Sequence, residues 1–147
     1  MAKRIADFED EYKADAVFID FGYGTGLKSI GDGWGRTWQL IPFGGGSTDP
    51  QMFNKRGEMF NACKTWLKLG GALNDQETAD DLSAAEYKVR VDGKIVMEPK
   101  EDIKERLGRS PGKGDALLLT FAFPVAKKLN DPRQQQGKAI TDYDPWA

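Results

Sequence analysis

The chain has 147 residues, 39% hydrophobic and 30% charged, with a net charge of −2 and a pI of about 5.2. That length suits one domain, and the acidic balance excludes a small basic DNA binder, whose pI typically exceeds ~9. With no histidine and Cys63 as the sole cysteine, Ser-His-Asp and Cys-His triads, intrachain disulfides and His/Cys zinc sites are excluded, so any metal must be held by oxygen ligands, which favours magnesium or manganese.

The spacing of Ile5, Phe8 and Tyr12 predicts an amphipathic helix over residues 3–13. Ala16-Val17-Phe18-Ile19-Asp20-Phe21 is a compact apolar run carrying an acid near its end, and reads as a buried parallel strand. Gly22-Tyr23-Gly24-Thr25-Gly26 predicts a turn into a helix at about residues 27–31. Trp38 to Phe43 reads as a second buried strand, closed by Gly44-Gly45-Gly46. The order helix, strand, helix, strand is that of a parallel α/β sheet.

Residues 54–69 predict a strong amphipathic helix, with Phe53, Met59, Phe60, Cys63, Trp66 and Leu67 on its apolar face and Gly70-Gly71 at its end. A shorter helix is expected over 78–85. Asp92-Gly93 between Tyr87–Val91 and Lys94–Met97 is a two-residue hairpin signal. A short polar helix follows over 101–107. Residues 115–127 are apolar nearly all round and predict a buried helix, kinked or cut short by Pro124. The domain is expected over residues 1–129, with a polar tail over 130–147 that is loosely ordered as far as Tyr143–Trp146. No apolar run approaches the ~18 residues of a membrane helix, and Met1-Ala2-Lys3-Arg4 leads into a charged stretch rather than a signal core. A cytoplasmic protein without a membrane partner is expected.

Three features invite chemistry. Gly22–Gly26 with Lys28-Ser29 follows a strand, as phosphate-binding loops do. Leu27 separates Gly26 from Lys28, however, and a single residue separates Gly24 from Gly26, so neither the P-loop nor the dinucleotide pattern is met. Asp20 ends a predicted parallel strand, the edge where ligands of open α/β sheets bind, and is equally placed to cap the next helix. Asp115 heads an otherwise apolar helix, where a charge must be paired, bound to metal, or used as a cap. Two carboxylates near one sheet edge can form a magnesium site, although two-metal phosphodiester hydrolysis commonly needs three or more. Cys63, on an apolar helix face, reads as a buried inert thiol. The aromatic residues read as core, except Trp34 and Trp146, which lie in polar stretches.

Taken in order, these segments resemble the nuclease domain of phage terminase large subunits over residues 5–126. Ala14 to Asp20 with Gly22–Gly26 looks like the family's second acidic strand and its glycine-rich turn. Phe43-Gly44-Gly45-Gly46 with Phe53 to Met59 looks like the passage from the last core strand into the next helix. Gly93-Lys94-Ile95 and Lys100 to Lys104 resemble the hairpin and the short basic helix after it. Arg109-Ser110-Pro111-Gly112-Lys113-Gly114-Asp115-Ala116-Leu117 with Thr120-Phe121-Ala122 looks like the C-terminal acidic signature.

The resemblance implies an α/β, partial RNase H-like fold with parallel core strands, flanking helices and an added β-hairpin. It implies a Mg2+- or Mn2+-dependent endonuclease that cuts concatemeric viral DNA during packaging, in the host-cell cytoplasm. Asp20 and Asp115 match the second and third metal-binding acids. Double-stranded DNA is the implied partner, with the terminase small subunit or the portal in the full-length context. At this pI, DNA affinity requires Lys55, Arg56, Lys100, Lys104 and Lys113 to cluster on one face.

Two departures stand out. Gly112 replaces the first acid of the C-terminal signature. The family's first catalytic acid lies on an early strand before the helix at 3–13, where this chain starts, and the ATPase domain is absent too. On that reading the strand at 16–21 becomes a bare apolar edge, which predicts self-association or a strand-supplying partner, and weak or absent cleavage by this chain alone. The competing reading is a non-catalytic α/β interaction module, a prophage remnant, acting through that edge. A third is nucleotide binding, with phosphate on the amides of Gly24 to Leu27.

Overall fold

In a computed structural model that describes residues 1–128, the expected order is built: α1 (Ala2–Glu11), β1 (Phe18–Asp20), α2 (Phe21–Gly33) and β2 (Gln39–Ile41). β1 and β2 pair in parallel, Phe18 with Gln39, Ile19 with Leu40 and Asp20 with Ile41. The tail at 130–147, Trp146 included, lies outside the described residues.

The crossover corrects one expectation. No glycine turn precedes α2, which starts at Phe21, directly after β1. The Asp20 carboxylate accepts a hydrogen bond from the Gly22 N–H at 3.0 Å, which caps the helix at once. The glycines then serve packing. A Cβ on Gly24 would lie 2.5 Å from Ile19 Cγ2 and 2.7 Å from Leu40 Cδ2, so the missing side chain is what lets α2 lie against both strands. The amides from Gly24 to Leu27 are spent inside the helix, which removes the phosphate loop of the nucleotide-binding reading.

This gives a test of opposite signs on one helix. Gly24→Ala should destabilise by about 1 kcal/mol, because overpacking of roughly 1–3 kcal/mol outweighs the ~1 kcal/mol helix-propensity gain. Nothing lies within 4 Å of a Cβ on Gly26, so Gly26→Ala should stabilise by about 0.4–1 kcal/mol. Urea midpoints of the two variants decide the matter, and equal shifts would contradict the packing account.

α3 (Lys55–Lys68) is capped by Asn54, whose side chain accepts from the Gly57 N–H at 3.0 Å. Met59 and Cys63 on its inner face join Ile41, Leu118 and Ala122 in the main core cluster, with Phe18 and Phe60 packed on it. A second cluster joins Ala2 and Ala6 of α1 to Trp38, beside β2. α4 (Gln76–Ser83) is capped by Asp75. β3 (Tyr87–Val89) and β4 (Ile95–Met97) form the expected antiparallel hairpin, but its loop has three residues rather than two: Arg90 pairs with Lys94 across Val91-Asp92-Gly93, the Gly93 N–H donates to the Arg90 carbonyl at 2.9 Å, and Gly93 takes φ 80°. α5 (Lys100–Leu107) follows.

α6 (Gly112–Leu119) begins and ends earlier than expected. Residues preceding proline avoid the helical region and proline offers no N–H, so the segment before Pro124 leaves the helix and Phe121–Ala122 turn into the core. Asp115 therefore lies in the first turn of α6 rather than at its head. Among the described residues, no helix is long and apolar enough to cross a membrane.

Candidate active site around Asp115

The sequence expectation singled out two acids. α6 packs against β1, so the helix carrying Asp115 lies beside the strand that ends in Asp20. Leu118, one turn after Asp115, shares the core cluster with Ile41, the β2 partner of Asp20. The two carboxylates share no hydrogen-bond partner, and each answers to its own element.

Asp115 is 8% exposed. Its backbone N–H donates to the Pro111 carbonyl at 3.0 Å, which fixes the first turn of α6. Its side chain makes an ion pair with Lys100, at the start of α5. The paired oxygen, Oδ2, still accepts no directional hydrogen bond. Burying an ionised carboxylate costs several kcal/mol unless it is compensated, and a second cation helps here. Arg56, itself buried, feels the charge of Asp115, Glu98 and Glu101. Burial pulls the Arg56 pKa below its ordinary value, with those acids opposing. One guanidinium nitrogen donates to the Glu98 carbonyl at 2.8 Å, while Nε and Nη2 have no partner. The arrangement is one buried carboxylate ion-paired with Lys100, with the buried Arg56 close enough to feel its charge and holding two nitrogens without a hydrogen bond.

Asp20 is half-buried, and one of its oxygens is committed to capping α2. The capping role weighed from the sequence is therefore realised. Among the described residues, no three or more acidic, cysteine or histidine groups are gathered as metal ligands. The oxygen chemistry of Asp20 and Asp115 suits a divalent cation such as Mg2+ or Mn2+, yet two carboxylates fit one ion better than two.

The five expected DNA contacts do not form one face. Lys55 is 4% exposed, paired with Glu58 at 2.7 Å and seated over the Phe123 ring at 4.0 Å. Glu58 is a strong partner for it: burial would raise its pKa, but hydrogen bonds from Lys55, Thr48 and Ser47 bring it down to about 2. Arg56 also faces inward. Lys100 is spoken for by Asp115, and Lys113 by Glu77 at 2.7 Å and Asp75 at 3.3 Å. Lys104 alone of the five is exposed without an ion pair among the described residues. The inward turn of Lys55 and Arg56 follows from helix geometry, since Arg56 stands at i, i+3, i+4 and i+7 spacing from Met59, Phe60 and Cys63.

Sequence reasoning missed the Lys100–Asp115 pair and the Asp81 clamp. In that clamp Asp81 accepts from Arg109 and, at 2.9 Å, from the Gly114 N–H, one residue before Asp115. Cys63 is buried, as expected, and burial pushes its thiol pKa up. Trp34 is exposed and stacks edge-on to Trp38 with centroids 6.4 Å apart.

No family model matches the chain, and no curated protein matches it. Solved structures do. The nuclease domain of the large terminase subunit gp2 of bacterial virus Sf6 matches with a TM-score of 0.68 and 20% identity, over 85% of this chain and 72% of that one. A point mutant of that domain with manganese matches with a TM-score of 0.70 and 20% identity, over 84% of this chain and 72% of the other. A calcium-containing structure of the mutant matches with a TM-score of 0.69 and 20% identity, over 84% and 71%. The fold of this chain is therefore that of the terminase nuclease domain, RNase H-like, as the sequence resemblance implied.

Proposed function

We propose that the chain is a nuclease-type domain whose hydrolytic centre is built on Asp20 and Asp115, takes a divalent cation, Mg2+ or Mn2+, and has double-stranded DNA as its substrate. The observation that supports this most is Asp115, a buried carboxylate whose ion pair among the described residues is with the partly exposed Lys100, on a fold shared with nuclease domains solved with manganese and calcium. A buried charge is expected to be paired or to bind a metal, and the partly exposed Lys100 is the pairing that a metal would replace. Asp20 and Asp115 would hold the ion, and a divalent ion there polarises a phosphoryl oxygen and lowers the pKa of a bound water.

The remaining roles belong to the chain. Arg56 is the buried positive neighbour of Asp115, held by its hydrogen bond to the Glu98 carbonyl. Lys100 shields that carboxylate and is placed to turn toward a phosphate. Lys104, free of ion pairs among the described residues, is suited to the DNA backbone. A second ion would need a further carboxylate, supplied by a segment or partner pairing along the outer edge of β1.

A second reading has its own support. Lys100 already neutralises Asp115, and no three-carboxylate cluster is gathered among the described residues. On that reading the chain is a non-catalytic module that associates with a second copy through the β1 edge.

Nicking of supercoiled plasmid separates the two. The hydrolytic reading expects slow, Mn2+-dependent nicking that falls more than about 100-fold in Asp115→Asn, since even indirect supports of metal ligands cost 10–100-fold. Nicking that ignores this substitution, or persists in chelator, would contradict it.

A further inference from the structure

β3 is the outer strand of its sheet. β4 pairs with β3 on one side and is bridged on the other to residues 51–53, where the Ile95 N–H donates to the Gln51 carbonyl at 2.8 Å. The Arg90 N–H donates to the Lys94 carbonyl and the Glu98 N–H to the Glu86 carbonyl, so Glu86, Lys88 and Arg90 turn their peptide groups toward β4. Tyr87 and Val89 turn theirs outward, and those groups meet no other backbone group among the described residues. Their side chains are 63% and 65% exposed, on the same face as Met97 and Ile95, which line an apolar groove of about 470 Å³. An open edge with exposed apolar side chains is a template for an added strand.

The charges along β3 select the strand. A second, antiparallel β3 must set outward-facing residues opposite one another, which leaves few registers. Centred on Glu86, the pairing sets Glu86 opposite Glu86. Centred on Val89, it sets Lys88 opposite Arg90. Centred on Lys88, it sets Lys88 opposite Lys88. Like charges directly opposite are unfavourable. The Lys88 register gains little from its Glu86–Arg90 pairs, because Arg90 already meets Asp92 at 3.4 Å and lies over the Phe53 ring at 3.8 Å.

Centred on Tyr87, the edge is self-complementary. Glu86 of each copy then stands opposite Lys88 of the other, twice by symmetry. These are the pairs that exchange no backbone hydrogen bonds, where opposing side chains stand closest. Tyr87 meets Tyr87 at the axis, Val89 falls opposite Ala85, and Arg90 falls opposite the uncharged Ala84. Both charged partners are available in a single copy. Lys88 is exposed and makes no ion pair among the described residues. The Glu86 side chain is 73% exposed and only approaches Arg106, at 3.6 Å. Arg106 keeps both oxygens of Glu98, at 2.7 and 2.8 Å, if Glu86 turns away.

We propose that β3 pairs antiparallel with β3 of a second copy, about a two-fold axis through Tyr87, with two Glu86–Lys88 ion pairs across the edge. This surface belongs to the hairpin sheet and is separate from the β1–β2 sheet.

Sedimentation of the full chain over a range of concentrations tests this. The wild type should dimerise, and its Tyr87 and Val89 amides should exchange slowly only as it does so. Lys88→Glu and Glu86→Lys each set like charges opposite at both pairs, and each should weaken the dimer at least ~10-fold. Mixing the two variants makes both pairs complementary again and should restore dimers. Val89→Pro removes an outward N–H that β4 does not use, so the hairpin keeps its ladder while dimerisation is lost. A wild type that stays monomeric would overturn the proposal, as would a mixture no tighter than its components. A dimer indifferent to all three substitutions would assign association to another surface, such as the β1 edge. Slow exchange of these amides in a monomer would overturn it too, because the edge would then be covered within one chain.

Discussion

Asp81→Ala should destabilise the protein by about 3 kcal/mol. The Asp81 side chain is 0% exposed. It holds two groups at once, the guanidinium of Arg109 and the Gly114 N–H, and so ties α4 to the start of α6. Breaking a buried charge pair typically costs 3–5 kcal/mol. The lower end applies, because Arg109 is 37% exposed and re-solvates. What has no rescue is the Gly114 N–H, left buried without an acceptor at about 1–3 kcal/mol. A Cβ on Gly114 would lie 2.7 Å from Asp81 Cβ, so the two backbones are already in close contact and a void will not collapse readily. A loss of about 3 kcal/mol corresponds to a midpoint lowered by roughly 6–12 °C. Asp81→Asn keeps the volume and one acceptor and should lose less. Thermal melts of both variants decide this. An unchanged midpoint for Asp81→Ala would mean the clamp contributes nothing, and the positioning of Asp115 would need another cause.

Trp38→Ala should cost about 3–5 kcal/mol, the range for truncating a buried large aromatic. Trp38 is 1% exposed and is the largest side chain of the second core cluster. Its indole N–H donates to Glu9 at 2.7 Å. Glu9 also accepts from Arg36 at 3.1 Å and from Lys128 at 2.7 Å. Burial would raise the Glu9 pKa, but the hydrogen bonds from Lys128, Trp38 and Arg36 outweigh it and hold the carboxyl below its ordinary value. Removing the indole therefore opens a cavity and strips a donor from a carboxylate that stays ionised. Because Trp38 directly precedes β2, the damage reaches the strand paired with Asp20. Trp38→Phe keeps most of the volume and loses the hydrogen bond, so it should cost about 1–2 kcal/mol. Equal losses for the two variants would place the whole effect in the Glu9 bond rather than in packing.

Much of the fold was legible because its signals are local. The apolar run 16–21 and the stripe of Met59, Phe60 and Cys63 give a strand and a helix by spacing alone, and Asp92-Gly93 gives a hairpin by turn chemistry. The Gly22–Gly26 stretch misled, because glycine at a turn and glycine under a close-packed strand look identical in sequence. Only the contact of Gly24 with Ile19 and Leu40 separates them. The end of α6 was readable from Pro124, its start was not. At the site, Asp20 and Asp115 stood out as acids beside apolar runs. Their neighbours did not, because Lys100 and Arg56 reach Asp115 across the tertiary fold. Arg56 did leave one signal, a charge in register with the apolar stripe of α3. Asp81 left a weaker signal, an acid one helical turn after Thr78 and beside Leu82 on a short helix.

The central claim is that Asp20 and Asp115 form one divalent-cation site. Calorimetric titration of Mn2+ into the wild type, Asp115→Asn and the double variant Asp20→Asn with Asp115→Asn tests it most directly. The account predicts a single binding event in the wild type, weakened by at least ~100-fold in Asp115→Asn and absent in the double variant. Binding that is unchanged in the double variant, or no binding to the wild type at millimolar Mn2+, would contradict it.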